Sequence, residues 1–360
     1  MGFAEMNLSG FTFILTEECN FNCSYCYQKI GKTAMDIALL KKAFDYFSPF
    51  FNDDSHISFY GGEPLLAFEI IKKSVDYILE KKLKKKFKFA LTTNGSLLNT
   101  EMFEFFNRHK FSLLLSFDGL AQEILRKKES FETVLTNVKK TLTYPGLEVS
   151  TNSVFTPESV HLLAESLEFI VNLGIKKVQV SISTISKWDR DSILQLEKEL
   201  GKTKKFLIPI YKKTGAIPID SFMKKTQKNL FGCNAGESRF TTAADGKLWG
   251  CYLFSDYFKG KEETKGYRKY CFGDLDTFIE NQGEIYPRIL ANYEKLRMDY
   301  FSTPDRFCME CDDLLECYVC PVDAALSGAV LGNIPAHLCE INKVLRKARQ
   351  QLWEELENKE

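Results

Sequence analysis

The sequence has no excess of either charge: 48 Lys and Arg stand against 48 Asp and Glu in 360 residues. A balanced chain presents no broad electrostatic footprint for nucleic acid or an anionic membrane surface, so neither is expected as a partner. Local basic runs exist, such as Lys81-Lys82-Leu83-Lys84-Lys85-Lys86, which reads as the solvated end of a helix. No apolar stretch is long enough to cross a bilayer. The start, Met1-Gly2-Phe3-Ala4-Glu5, lacks both the basic residues and the apolar segment of a signal peptide. Met1-Gly2 opens like a myristoylation signal, but Met6 stands where that signal needs Ser or Thr. A cytoplasmic location is the expectation. Histidine is scarce: of His56, His109, His161 and His337 only the last lies near a cysteine in sequence, and all four read as structural or surface groups. There is no low-complexity tract and no repeat beyond an alternation of strands and helices.

Cysteine is plentiful by contrast, with eleven residues. Without an export signal, that number argues for metal rather than disulfides. Thirty Phe fit a well-filled core, and the length allows two domains or one large one. Strand-like runs recur at 11–16, 56–60, 87–93, 111–116, 147–154 and 176–182. Between them, 34–47, 67–81, 100–108, 131–141 and 159–173 carry apolar residues at helical spacing. Thr156-Pro157 marks a helix start and Gly174 a helix stop. Residues 191–213 read as a further long helix. Six strand–helix units imply parallel strands with helical crossovers, in an α/β fold whose site lies at the carboxyl ends of the strands. From about Ile217 the pattern changes: Gly, aromatic and Cys residues become frequent and long helices are expected to stop. The boundary is placed at 214–220, and 342–357 reads as a charged amphipathic helix that packs on the rest.

The chemistry is carried first by Cys19, Cys23 and Cys26, a Cys-x3-Cys-x2-Cys run directly after the first strand. Three thiolates on one loop can hold three irons of a [4Fe–4S] cube and leave the fourth for an external ligand. A structural zinc site is the competing reading of the spacing alone. Downstream, Tyr60-Gly61-Gly62-Glu63-Pro64, Thr92-Thr93-Asn94-Gly95 and Ser116-Phe117-Asp118-Gly119 each end a strand-like run. In this order the motifs closely resemble the radical SAM superfamily over about residues 11–183. The resemblance implies a partial, open (β/α)6 TIM-like barrel over 1–216. It also implies a [4Fe–4S] cluster that binds S-adenosylmethionine (SAM) and breaks its sulfonium C–S bond on one-electron reduction. It assigns Tyr25 to the adenine and Gly61, Gly62 and Glu63 to the amino group, since glycines admit close backbone approach and a carboxylate accepts from an ammonium. Ser116 and Asp118 fall at the strand end that approaches SAM, Arg126 pairs with its carboxylate, and Gln179 and Ser181 face ribose or substrate.

The last third holds Cys233, then Gly246-x4-Cys251, Cys308-x2-Cys311, Cys317-x2-Cys320 and Cys339. This resembles the SPASM extension of radical SAM enzymes, placed at 217–341 with the helix of 342–360 following, and implies two auxiliary [4Fe–4S] clusters, three in all. Cys317 and Cys320 are two residues apart where the family has three. The resemblance puts Cys308, Cys311, Cys317 and Cys339 on one auxiliary cluster and Cys233, Cys251 and Cys320 on the other. A substrate thiol, a backbone group or Cys271 is open as the fourth ligand of the latter. Paired zinc ribbons are the non-radical alternative. The implied function is hydrogen-atom abstraction from a peptide or protein substrate, with a flavodoxin or ferredoxin as electron donor. A ribosomal-peptide maturase is ranked first. The sulfatase-maturing subgroup has an acidic residue directly after the second SPASM cysteine, where this chain has Tyr252; Asp256 is the nearest acid downstream. With the first strand at about Phe11, no preceding peptide-recognition domain is expected. A small-molecule radical enzyme and a non-catalytic zinc or iron–sulfur protein are the other readings.

Overall fold

The computed structural model describes residues 6–225, 233–299, 302–303, 306–317, 319–328 and 330–358. The Met1–Glu5 start on which the signal reading rests lies outside them. The expected strands form as β1 (Leu8–Thr16), β2 (Phe51–Gly61), β3 (Phe87–Thr93), β4 (Ser112–Ser116), β5 (Glu148–Phe155) and β6 (Val178–Ile182). All pair in parallel with their sequence neighbours. β1 is buried almost without a break, as a parallel strand covered on both faces must be. The crossover helices form from their apolar spacing and from local caps. Asn99 Oδ1 accepts from Met102 N at 3.0 Å to open Thr100–Arg108, and a reciprocal Asp189–Ser192 box opens Arg190–Thr214. One expected start moves: Ser159 and Val160 both donate to Thr156 O, so Thr156-Pro157 closes a turn first and the α-helix begins only at Leu163.

The sheet does not close into a barrel. It runs in the order β6-β5-β4-β3-β2-β1 and then continues into β7 (Arg239–Thr242), β8 (Lys247–Trp249) and β9 (Cys271–Asp274). β7 pairs in parallel with β1, from Gly10↔Arg239 to Phe13↔Thr242, and β8 and β9 follow antiparallel. The sheet therefore crosses the 214–220 boundary that composition suggested. An aromatic seam fastens this extension: the Phe47 ring lies 5.5 Å from Phe240 and 6.0 Å from Phe278, and Phe240 lies 4.9 Å from Phe272. Such contacts contribute about 0.5–1.5 kcal/mol each beyond area burial.

The expectation that long helices stop after Ile217 is corrected. Leu275–Asp299 is helical over 25 residues in two pieces that meet at a kink at Asn281. Its pattern is masked by Pro287 and by non-helical φ/ψ at Asn281, yet Leu275, Phe278, Tyr286, Ile289, Tyr293 and Leu296 are buried along it. The last helix runs over Ala336–Glu357 and so includes Cys339.

Candidate active site

The cysteine loop leaves β1 at Thr16 and is seated by short-range hydrogen bonds. Gly62 N donates to Thr16 O at 2.9 Å and Glu63 N to Glu18 O at 2.8 Å. Two glycines are needed here for packing between strand ends. A Cβ on Gly61, whose φ is +148°, would sit 2.3 Å from Thr16 O, and one on Gly62 would sit 2.3 Å from Glu18 O. Further along, Ser24 N donates to Leu125 O at 2.9 Å, and Asn94 Nδ2 reaches Asn20 Oδ1 at 2.8 Å. The Thr-Asn-Gly motif after β3 thus holds the cysteine loop from the other side.

Cys19, Cys23 and Cys26 all line one cavity of about 560 Å³. Gly61, Gly62, Thr92–Asn94 and Ser116 line it from the strand ends, and Tyr25 and Arg126 line it as well. Glu63 does not. Its carboxylate is fully buried behind the wall and accepts from Thr93 Oγ1 at 2.7 Å, Asn94 N at 2.8 Å and Leu65 N at 3.0 Å. Burial nevertheless pushes its pKa up to about 7. Asp118 is likewise one layer back. Its oxygens accept from Arg126 Nε at 2.7 Å, Arg126 Nη2 at 2.8 Å and Val154 N at 2.8 Å. This fork holds the guanidinium 5.3 Å from the Tyr25 ring centre. Gln179 is exposed and off the wall, whereas Ser181 lines it and donates to Asn152 Oδ1 at 2.9 Å. The two share a strand face, but Gln179 lies about 6–7 Å further from the carboxyl end, where the site is.

One C-terminal thiol, that of Cys320, meets the same cavity. Cys251 caps the helix Tyr252–Phe258, and the chain before it is pinned where Gly250 N donates to Tyr293 Oη at 2.9 Å. Burial pushes the Cys251 and Cys320 thiols up to about 12, and Cys233 adds to both. Cys317 is raised by burial and then by Cys339 and Cys311, while Cys311 N donates to Cys308 O at 2.9 Å. Cys233, Cys251 and Cys320 thus lie within electrostatic reach of one another, and Cys317 within reach of Cys339 and Cys311. Cys320 lines the cavity, as do Tyr252 and Leu253. Cys271 is buried at the start of β9, where its sulfur accepts from Gly273 N at 3.4 Å and pairs with Tyr267. All eleven cysteines are free.

The donor set fits iron–sulfur ligation. No three His, Cys, Asp or Glu side chains among the described residues converge on a single-ion site. A cube offers a separate iron to each thiolate, so its ligands stand further apart than those of one ion. The cysteine loop is rich in thiols held protonated by burial: Cys23 is pushed up to about 11, and Cys19 and Cys26 are raised in the same sense. Bound iron would add positive charge beside these thiols to that of Arg126, which already opposes the rise at Cys23 and Cys26.

Residues that the sequence reading passed over also line the wall: Tyr27, Tyr60, Asn152, Ser183, Thr184 and Asp323. Tyr27 and Tyr60 share a hydroxyl hydrogen bond of 2.9 Å, and the Tyr60 ring lies 4.5 Å from that of Tyr252. Tyr27 follows Cys26 and Tyr252 follows Cys251, which is the one sequence signal that marks them.

Residues 13–170 match the Radical SAM superfamily. The chain carries a radical SAM domain. An uncharacterized protein of Methanocaldococcus jannaschii is 28% identical over 219 residues, 59% of this chain and 73% of that protein. The structure of anSMEcpe with bound AdoMet and the Cp18Cys peptide superposes with a TM-score of 0.74 at 18% identity, covering 98% of this chain and 99% of that one. SuiB of Streptococcus suis, bound to the precursor peptide SuiA, gives 0.59 at 16% identity over 88% of this chain and 73% of that one. At these identities the likeness is one of fold, and it extends through the cysteine-rich region beyond the radical SAM domain. The family's cofactors are a [4Fe–4S] cluster and SAM. No helix among the described residues is long and apolar enough to cross a membrane.

One acid near the radical SAM domain's third cysteine sets a pH dependence. Asp256 lies one helical turn after Tyr252, and its Oδ2 is buried with no hydrogen-bond partner. Burial pushes its pKa up to about 7, against the opposing pull of the Gln28 amide and Lys259. A folded value above the unfolded carboxylate range means that its contribution to stability is complete below about pH 4 and lost as pH rises through about 7. Between about pH 5 and pH 7 the wild type should lose stability relative to Asp256→Asn by up to about 1.4 kcal/mol per pH unit. Denaturant unfolding of both anaerobic holoproteins across that range checks this; a constant difference rejects it.

Proposed function

We propose that this radical SAM enzyme acts on a peptide or protein, abstracting a hydrogen atom from a side chain or α-carbon, and that two auxiliary clusters carry away electrons. The observation that carries the reading is the sharing of one wall: Cys19, Cys23 and Cys26 on one side and Cys320 on the other border the same cavity. Bound iron–sulfur groups supply one-electron chemistry there, and SAM supplies the hydrogen-abstracting carbon. The residues do the positioning. Cys19, Cys23 and Cys26 would hold the first cluster. The backbone of Gly61 and Gly62, the Ser116 hydroxyl and the Tyr25 face border the space for SAM, while Glu63 and Asp118 brace that wall from behind. Cys233, Cys251 and Cys320 would hold one auxiliary cluster, and Cys308, Cys311, Cys317 and Cys339 the other. Cys271 is engaged with Tyr267, which supports leaving it out of the ligand set.

The peptide substrate is supported by the peptide-bound structures of anSMEcpe and SuiB. A ribosomal-peptide maturase reduced by a flavodoxin or ferredoxin is the preferred form. A sulfatase-maturing role gains support from Asp256, which keeps an acid on the helix face of Tyr252 though one turn away. The test is anaerobic incubation of reconstituted protein with dithionite, SAM and peptides encoded beside it. The expected result is 5′-deoxyadenosine together with a peptide changed in mass. Nucleoside formation with a modified metabolite and no modified peptide would retire the substrate class, and a colourless zinc protein would retire the chemistry.

A further inference from the structure

The charges around the cavity are unevenly satisfied. Arg126 is neutralised by Asp118, and Glu17 is paired with Lys259 at 2.8 Å. Asp323 also lines the cavity, but its described partner is a hydroxyl: Thr184 Oγ1 donates to Asp323 Oδ1 at 3.0 Å. No cation is found within ion-pair reach of it among the described residues. Asp323 and Asp256 both act on Tyr252, whose ring leans on that of Tyr60, and both rings line the cavity. The thiols of Cys251 and Cys320 complete this end. Every charge they can carry is negative, and thiolates that ligate an iron–sulfur cube leave that assembly anionic as well.

A half-buried carboxylate without a counter-charge is costly, and aromatic faces beside it are the usual surroundings of a bound cation. The SAM-binding features lie along the strand ends of β2, β3 and β4 and begin beside Tyr60, at Gly61 and Gly62. We propose that Asp323, Tyr60 and Tyr252 form a subsite for a positively charged side chain of the substrate, a lysine or arginine close to the residue that reacts. The inference rests on the peptide reading and narrows it. Thr184 is the positioning residue of the subsite: its hydroxyl fixes one Asp323 oxygen and ties the loop after β6 to the helix Pro321–Leu326.

Fluorescein-labelled Ala-Ala-Lys-Ala-Ala, its norleucine analogue and its glutamate analogue provide the test, titrated by anisotropy into anaerobic holoenzyme already saturated with SAM. The nucleotide's own positive charge is then in place and does not enter the comparison. The lysine peptide should bind about tenfold tighter than the norleucine peptide, and the glutamate peptide weakest. Asp323→Asn keeps the Thr184 contact and should erase the preference. Tyr252→Phe should keep it and Tyr252→Leu should lower it. Equal affinities in the wild type, or a preference unchanged in Asp323→Asn, overturn the proposal. If no peptide binds, n-butylammonium and 1-butanol are compared by tyrosine difference absorbance. Preference for the ammonium then upholds the subsite while retiring the peptide substrate, and no preference retires the subsite.

Discussion

Replacing Cys19, Cys23 and Cys26 together by alanine is expected to reduce SAM-derived 5′-deoxyadenosine to background while about two thirds of the iron remains. The three proposed cubes would hold about twelve irons per chain, so the variant should retain about eight, with the auxiliary signals intact by electron paramagnetic resonance. The selectivity follows from where the ligands sit. The loop that carries Cys19, Cys23 and Cys26 is seated by backbone and amide contacts that do not involve sulfur: Gly62 N to Thr16 O, Ser24 N to Leu125 O and Asn94 to Asn20. Removing three partly exposed thiols leaves those contacts in place. The Cys251 backbone is fixed separately, through Gly250 and Tyr293. Loss of all iron from the triple variant would mean that the three sets are not independent, and retention of nucleoside cleavage would sink the assignment of the N-terminal loop.

The cysteine triplet was legible in the sequence for a physical reason. A cysteine triplet works as a unit only if a short loop presents it, so spacing carries the information. The same holds for β3 and for the helices Thr100–Arg108 and Phe131–Thr141, whose bounds are those that the apolar period suggests. What was not legible depends on contacts between distant parts of the chain. Glu63 reads as a ligand-facing acid, but its carboxylate is consumed by Thr93, Asn94 and Leu65, thirty-one residues away at the furthest. Tyr60 reads as the last residue of a strand, and only the packing of the helix Tyr252–Phe258 makes it a cavity wall. Asp323 follows Cys320 by three residues, and nothing in that spacing tells that Thr184 will hold it. The helix Leu275–Asp299 was hidden because Pro287 and Asn281 interrupt its period, while burial of Phe278, Tyr286 and Tyr293 against β9 and its neighbours overrides them.

The largest stability effect is expected at Arg126. Its side chain is 5% exposed and that of Asp118 is not exposed at all. Burial works against the arginine's charge, but the Asp118 carboxylate outweighs it, so the proton is held more tightly than in a free arginine. Removing one member of such a pair leaves the other buried and uncompensated, at about 3–5 kcal/mol. The two directions are not equivalent. Asp118 is sealed behind the wall, whereas Arg126 borders the cavity and can be reached by water. Arg126→Met should therefore cost about 3–5 kcal/mol and Asp118→Asn less, while the double variant should recover part of the loss because neither charge is then stranded. Arg126→Lys should fall short of wild type, since an ammonium cannot reproduce the two-pronged contact to both Asp118 oxygens. Denaturant unfolding of the four variants gives the coupling directly. A cost below about 1 kcal/mol for Arg126→Met, or strictly additive losses, would mean that the pair does not brace the wall and that Tyr25 keeps its place by packing alone.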